Sequence, residues 1–298
     1  CSTLASKSSK LVCKSSVEAR TYRWGEAWLA GYWVLTSLLL IFGPHFSGAS
    51  VQLALLQLLA AATLFMISTW CDRHPSLGWL FWLPWAPFFF WTYGNIDKVH
   101  QALGWPTQDG MVQGWEHAIW GNITPALDWS QAWSWLWFSE SIHLCYITYY
   151  GMAPLLILRL LYRERGDLAR LALAGAVSSL VCCYLINILI PVRGPRPLYP
   201  PLADGLHGPV WTFCHAMLKK GAAGAAAFPS GHTSLSMATA FMAWRWDRKL
   251  FPVYGLWAAG VVSATIYGRF HYSVDVMAGT LLAAFCAGLV LFRDPDRQ

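Results

Sequence analysis

Charge is scarce in this chain. Only 12% of its 298 residues are Asp, Glu, Lys or Arg, while 56% are hydrophobic. A soluble domain carries about 25% charged residues, and the mean hydropathy here is +0.40. A soluble fold with a large core is therefore excluded, because the apolar excess lies in runs long enough to cross a bilayer. Acidic clusters are also lacking. The eight cysteines (1, 13, 71, 145, 182, 183, 214 and 286) show no metal-ligand spacing, and most fall in or beside apolar runs as small hydrophobes. Cys145 and Cys214 are the one pair able to meet on an oxidising side, and nothing in their spacing argues for a disulfide. There is no internal repeat, no linker long enough to separate domains and no evident cleavable signal peptide. The net charge of +6 does not indicate nucleic acid, since the basic residues sit in short loops between apolar runs.

The apolar runs themselves predict an all-α, polytopic membrane helix bundle of about eight spans. A polar, basic tail over 1–26 precedes one membrane domain over 27–293. The spans are expected at 27–42, 51–70, 77–93, 140–162, 168–190, 232–246, 251–267 and 274–292, with Pro84 and Pro87 kinking the third. A long extramembrane segment, 191–228, separates the fifth from the sixth. Residues 94–138 hold seven of the nineteen Trp, and Trp129, Trp133 and Trp137 recur every fourth residue. That spacing predicts either a helix lying in the membrane interface or one packed on its neighbours. With the N-terminus inside, fifteen of the twenty-one Lys and Arg fall on inside regions; Lys98, Arg193, Arg196, Lys219, Lys220 and Arg269 fall outside. Span parity puts Arg196, His232 and His271 together on that outer, extracytoplasmic face.

Two stretches carry chemistry. In Pro229-Ser230-Gly231-His232 the sixth helix begins. Proline suits a first turn, glycine lets an anion approach the backbone, and the free N–H groups with the helix dipole favour phosphate. His232 is then placed to protonate a leaving oxygen, although a helix cap with a histidine at the interface fits the same pattern. In the second stretch His271 and Asp275 are four residues apart, on one helical face if the helix starts there. A carboxylate one turn away can accept Nδ1–H and leave Nε2 as an attacking lone pair. A polar capping pair and a His-x3-Asp metal site are the alternatives. Arg196, between Pro195 and Pro197, presents a guanidinium fork from a stiffened backbone, and Arg193 and Arg269 can add to it. Lys219 and Lys220 read as a solvated or substrate-attracting pair.

Pro229-Ser-Gly-His232, His271-x3-Asp275 and Arg196-Pro197 resemble the three motifs of the type 2 phosphatidic acid phosphatase superfamily, over about residues 140–292. The resemblance implies a six-helix phosphatase-like core and a metal-independent, cofactor-free reaction through a phosphohistidine on His271. It also implies His232 as acid and base, with Arg196 holding phosphate. Two cations usual in that superfamily are replaced, by Leu189 and Thr265. The run from Thr265 to Asp275, with Trp115-Glu-His-x-Ile-Trp-Gly and Tyr146-x2-Tyr149-Tyr150, looks more like the branch containing inositol phosphorylceramide synthase. That branch moves a phospho-headgroup from a membrane phospholipid to a lipid alcohol. The expectation is thus headgroup transfer, with hydrolysis of lipid phosphate monoesters second. A lipid-binding or translocating protein that keeps the fold without catalysis is a third reading.

Overall fold

A computed structural model describes residues 23–74, 80–221 and 223–294; most of the basic tail lies outside the described residues. Their structure is helical, the sole β-type pairing among them being an isolated bridge between Val192 and Ala226. In chain order the helices are α1 (Trp24–Phe42), α2 (Gly48–Arg73), α3 (Trp85–Gly94), α4 (Ile96–Leu103), α5 (Asp109–Trp120) and α6 (Pro125–Ala132). They continue with α7 (Leu136–Thr148), α8 (Met152–Tyr162), α9 (Gly166–Leu189), α10 (Pro209–Gly221), α11 (Gly231–Trp246), α12 (Phe251–Tyr267) and α13 (Ser273–Leu291).

Among the described residues, α1, α2, the α7–α8 run, α9 and α13 are long and apolar enough to cross a membrane, and α12 is a shorter apolar helix. These agree with the expected spans to within a few residues. The expected sixth span forms α11, whose 16 residues are not among these apolar helices, and the expected third span differs in its bounds. Of its described part, residues 80–82 form a 3₁₀ turn, and α3 has only 10 residues. α3 alone is about 15 Å long, half the hydrocarbon thickness, and α4 completes the passage: Trp85 lies 3.4 Å from a notional Cβ at Gly25 near the start of α1, and the Ala102 carbonyl oxygen 2.7 Å from one at Gly43 just past its end. Pro84 is its N-cap and Pro87 lies in its first turn, where a missing N–H leaves no bond unmade, so these prolines open a helix instead of kinking one. The single Trp-striped helix is also corrected. Trp129 belongs to α6, Trp133 is its C-cap at φ −114°, ψ 55°, and Trp137 stands in the first turn of α7. The stripe is broken between two short helices, with all three rings exposed.

α9 is the central post, packed against α1, α8, α11 and α13. Among its buried residues is a series of small ones, Ala169, Ala172, Gly175, Ala176 and Ser179. Lipid tails are as apolar as leucine, so helices in a bilayer associate through close backbone approach and interhelical hydrogen bonds. Both appear. A Cβ at Gly175 would stand 2.6 Å from Met242 Sδ. Trp33 Nε1 donates to Thr92 Oγ1 at 3.0 Å, and Ser68 Oγ donates to Glu26 Oε1 at 2.7 Å.

α11 carries His232 and α13 carries Asp275, and their crossing is as close. A Cβ at Gly279 would lie 2.6 Å from the Ser230 carbonyl oxygen and 3.3 Å from Thr233 Cβ. Gly279→Ala is therefore expected to push the opening turn of α11 off α13. Overpacking of this kind destabilises by about 1–3 kcal/mol, which a thermal melt in detergent will show as a lowered transition. An unchanged melt would mean the crossing is looser than described.

Candidate active site

His271 owes its position to the way α12 ends. The Phe270 and His271 amides both donate to the Thr265 carbonyl at 3.0 Å, and the Arg269 amide donates to that of Ile266 at 2.9 Å. This is a Schellman ending, which requires a left-handed residue directly after the C-cap. Arg269 fills that place at φ 59°. A non-glycine residue there costs about 1–2 kcal/mol, and the Arg269 side chain offsets it. Its guanidinium donates to the carbonyls of Pro200 and Pro201 and to Ser130 Oγ, tying the turn to two neighbouring segments.

The His271 ring is buried. Nδ1 lies 2.9 Å from the Ala227 carbonyl oxygen and 3.4 Å from Asp275 Oδ2. Both neighbours are acceptors, so Nδ1 carries the proton and Nε2 holds the lone pair. Asp275 was the orienter expected from spacing. Its Oδ2 accepts the Tyr272 amide at 2.8 Å, while Oδ1 is buried without a partner. A backbone carbonyl is thus the nearer support of the ring, and Asp275 both caps α13 and supplies a second, longer contact.

Nε2 of His271 stands 3.4 Å from Nδ1 of His232. The His232 ring stacks on Tyr146 and meets Tyr149 at a tilt, each with its centroid 4.5 Å away. Tyr149 lies in the 3₁₀ turn Tyr149–Gly151 that interrupts the α7–α8 run, so the change of pitch brings an aromatic ring over the histidine. Ser230 is the N-cap of α11; its Oγ accepts the Thr233 amide at 3.3 Å and its amide donates to the Asp275 carbonyl at 3.0 Å. Gly231 opens the helix, with Leu180 Cδ2 3.7 Å from a notional Cβ. Asn187 Nδ2 donates to the Phe228 carbonyl at 2.6 Å, which steadies the loop leading to Ser230.

The segment holding Arg196 joins the same network. The Val192 amide donates to the Ala225 carbonyl at 3.1 Å, and the Ala227 amide returns to the Val192 carbonyl at 2.8 Å. Gly194, at φ 82°, is a required glycine, since a Cβ there would meet Ala227 Cβ at 2.9 Å and the Phe270 carbonyl oxygen at 3.1 Å. Arg196 is exposed and makes no hydrogen bond or ion pair with a described residue. It borders a cavity of about 340 Å³ together with Tyr199, His215, Lys219 and Arg269. Burial, with His143, Arg196 and His207 alongside, holds the His215 imidazole down to about 4, so the ring is neutral near pH 7.

The other two arginines already have partners in the protein. Arg269 reaches the cavity edge with its two terminal nitrogens already bonded. Arg193 Nε pairs with Asp109 Oδ2 at 3.3 Å and points into solvent. Leu189 and Thr265 add no charge: Leu189 is exposed on α9, and the buried Thr265 hydroxyl donates to the Val262 carbonyl at 2.7 Å. Cys145 and Cys214 are free thiols. No group of three or more metal-ligating side chains occurs among the described residues. The Ala227 carbonyl, Asn187 and the tyrosine pair against His232 are absent from the sequence expectation as site components. Only the Tyr146-x2-Tyr149-Tyr150 run gave a signal for any of them.

A family model described as PAP2 superfamily matches residues 111–289, more than half of the chain. The chain belongs to that superfamily. The match begins inside α5, upstream of residue 140 where the resemblance was first placed. No curated protein and no solved structure matches the chain. Membership supports an enzyme with a lipid-phosphatase type of activity, and the apolar helices make it an integral membrane protein.

Proposed function

We propose that the protein transfers a phospho-headgroup from a membrane phospholipid to a lipid alcohol through a phosphohistidine on His271. The observation that carries the reading is the His271–His232 pair: one imidazole with its proton held at Nδ1 and a bare Nε2, facing a second imidazole 3.4 Å away. The Nε2 lone pair forms the P–N bond as the P–O bond to the glyceride breaks, and protonated His232 donates its proton to the departing oxygen. An acceptor hydroxyl then loses its proton to His232 and attacks phosphorus. The P–N bond breaks, and both histidines return to their starting forms. Arg196, unpaired among the described residues, holds the phosphoryl oxygens.

Transfer is favoured over hydrolysis by the charge balance. Leu189 and Thr265 leave the site short of two cations, and a phosphodiester monoanion needs less cationic surround than a monoester dianion. One observation favours the alternative, a phosphatase acting on lipid monoesters: Arg196 and Lys219 border the same cavity. The proposed reaction uses no metal, and Lys/Arg asymmetry puts it on the extracytoplasmic side.

A phosphorus NMR time course in lipid micelles with chelator tests all of this. The donors are phosphatidate and phosphatidylinositol, and the acceptors are ceramide and diacylglycerol. A new phosphodiester lipid without inorganic phosphate is the expected result. Inorganic phosphate from phosphatidate would make the protein a phosphatase, and loss of turnover with chelator would bring a metal into the mechanism.

A further inference from the structure

α5 lies outside the three motifs, yet it touches the loops that carry two of them. Asp109, Gln113, Glu116 and Trp120 recur at four-, three- and four-residue steps, which places them on one helical face. At the first end, Asp109 Oδ1 accepts the amides of Arg193 and Gly194 at 3.0 and 3.1 Å, and the Gln108 amide donates to the Pro191 carbonyl at 2.7 Å. These bonds hold the loop two residues before Arg196. At the other end, Glu116 Oε1 accepts the Ser273 amide at 3.2 Å. Its Oε2 accepts the Ser273 hydroxyl at 2.8 Å and the Val274 amide at 3.1 Å. Trp120 Nε1 donates to Ser273 Oγ at 2.6 Å, and between the two ends Gln113 Nε2 donates to Tyr272 Oη at 2.9 Å. These bonds hold the first turn of α13, two residues past His271.

Asp109 and Glu116 are both buried. A buried carboxylate is costly unless its oxygens are bonded. Here each is satisfied largely by amides of a catalytic loop, and Glu116 also faces the positive end of the α13 dipole. Neither arrangement is needed to bury apolar surface, since the outward face of α5 leaves Met111, Trp115 and Ile119 exposed.

We propose that α5 is the positioning strut of the reaction centre: Asp109 fixes the loop that presents Arg196, and Glu116 fixes the turn that presents His271. This rests on the reading of Arg196 as phosphate holder and His271 as nucleophile. Each carboxylate then acts on a different part of the reaction. Loosening Arg196 weakens the grip on the donor phosphate, whereas loosening His271 misaligns attack without changing how the lipid binds.

Asp109→Asn and Glu116→Gln keep side-chain volume and are tested in the purified full chain in lipid micelles. Asp109→Asn is expected to raise KM about tenfold with kcat within about threefold. Glu116→Gln is expected to lower kcat about thirtyfold with KM within about threefold. Hydrogen exchange, which needs no turnover, should quicken at 191–196 only in the first variant and at 271–276 only in the second. Equal losses of kcat and KM with faster exchange throughout would reduce α5 to a packing element and overturn the proposal. So would two variants indistinguishable from the wild type. A wild type that turns over no lipid refutes the assigned chemistry instead, and the exchange pattern alone then decides whether α5 is a strut.

Discussion

Alanine in place of His271 is expected to lower turnover by about 10⁴-fold or more, because no neighbouring group can replace the attacking nitrogen. The ring is also part of the structure. Its Nδ1–H serves the Ala227 carbonyl at 2.9 Å, and the alanine variant leaves that carbonyl and the Asp275 carboxylate without it. A buried acceptor left unpaired costs about 1–3 kcal/mol, so a fall in melting temperature will accompany the loss of activity. His271→Asn separates the two effects. The asparagine amide reaches about as far as Nδ1 and can donate to the Ala227 carbonyl, but it offers no nucleophile in place of Nε2. The expected pattern is stability regained in His271→Asn with turnover still absent, measured by thermal unfolding and lipid turnover on the same micelle preparations. Acid-labile phosphate should be trapped on the wild type and on neither variant. An alanine variant that keeps more than about a hundredth of wild-type turnover would end the covalent mechanism.

What the sequence revealed about this region was local. Ser230 caps α11, and Asp275 lies 3.4 Å from His271 although α13 begins only at Ser273, because a cap and the first turn of a helix act over a few residues. The long spans were legible for a similar reason: α9 runs unbroken from Gly166 to Leu189 before meeting Pro191, and apolar length measures that directly. Hydropathy records composition and not continuity, so residues 77–93 looked like one span although α3 begins only at Trp85. The Trp129–Trp133–Trp137 stripe misled for the matching reason, since four-residue spacing has meaning only if the helix continues, and α6 stops at Ala132. The bonds of α5 were out of reach. Asp109 meets Arg193 84 residues away, and Glu116 meets Ser273 157 residues away. The Ala227 carbonyl is a backbone group, so no residue type announces it as the support of His271.

Replacing His232 by alanine should show whether one residue serves both halves of the reaction. With a natural lipid donor the leaving group is an alkoxide of high pKa, and loss of its proton donor is expected to slow turnover by about 10²–10⁴-fold. With a nitrophenyl phosphodiester lipid the leaving group departs as a stable anion, so the first step should lose about tenfold or less. The second step stays impaired, because the acceptor hydroxyl still needs His232 to take its proton. Phosphohistidine should then accumulate on His271, and the variant should give a burst of nitrophenolate equal to the enzyme present, followed by slow release. Stopped-flow absorbance measures both phases. The contact between His271 Nε2 and His232 Nδ1 at 3.4 Å supports this dual use, since it sets one imidazole directly beside the attacking nitrogen. Equal losses with the two donors and no burst would mean that His232 only packs against Tyr146 and Tyr149, and that the proton comes from elsewhere.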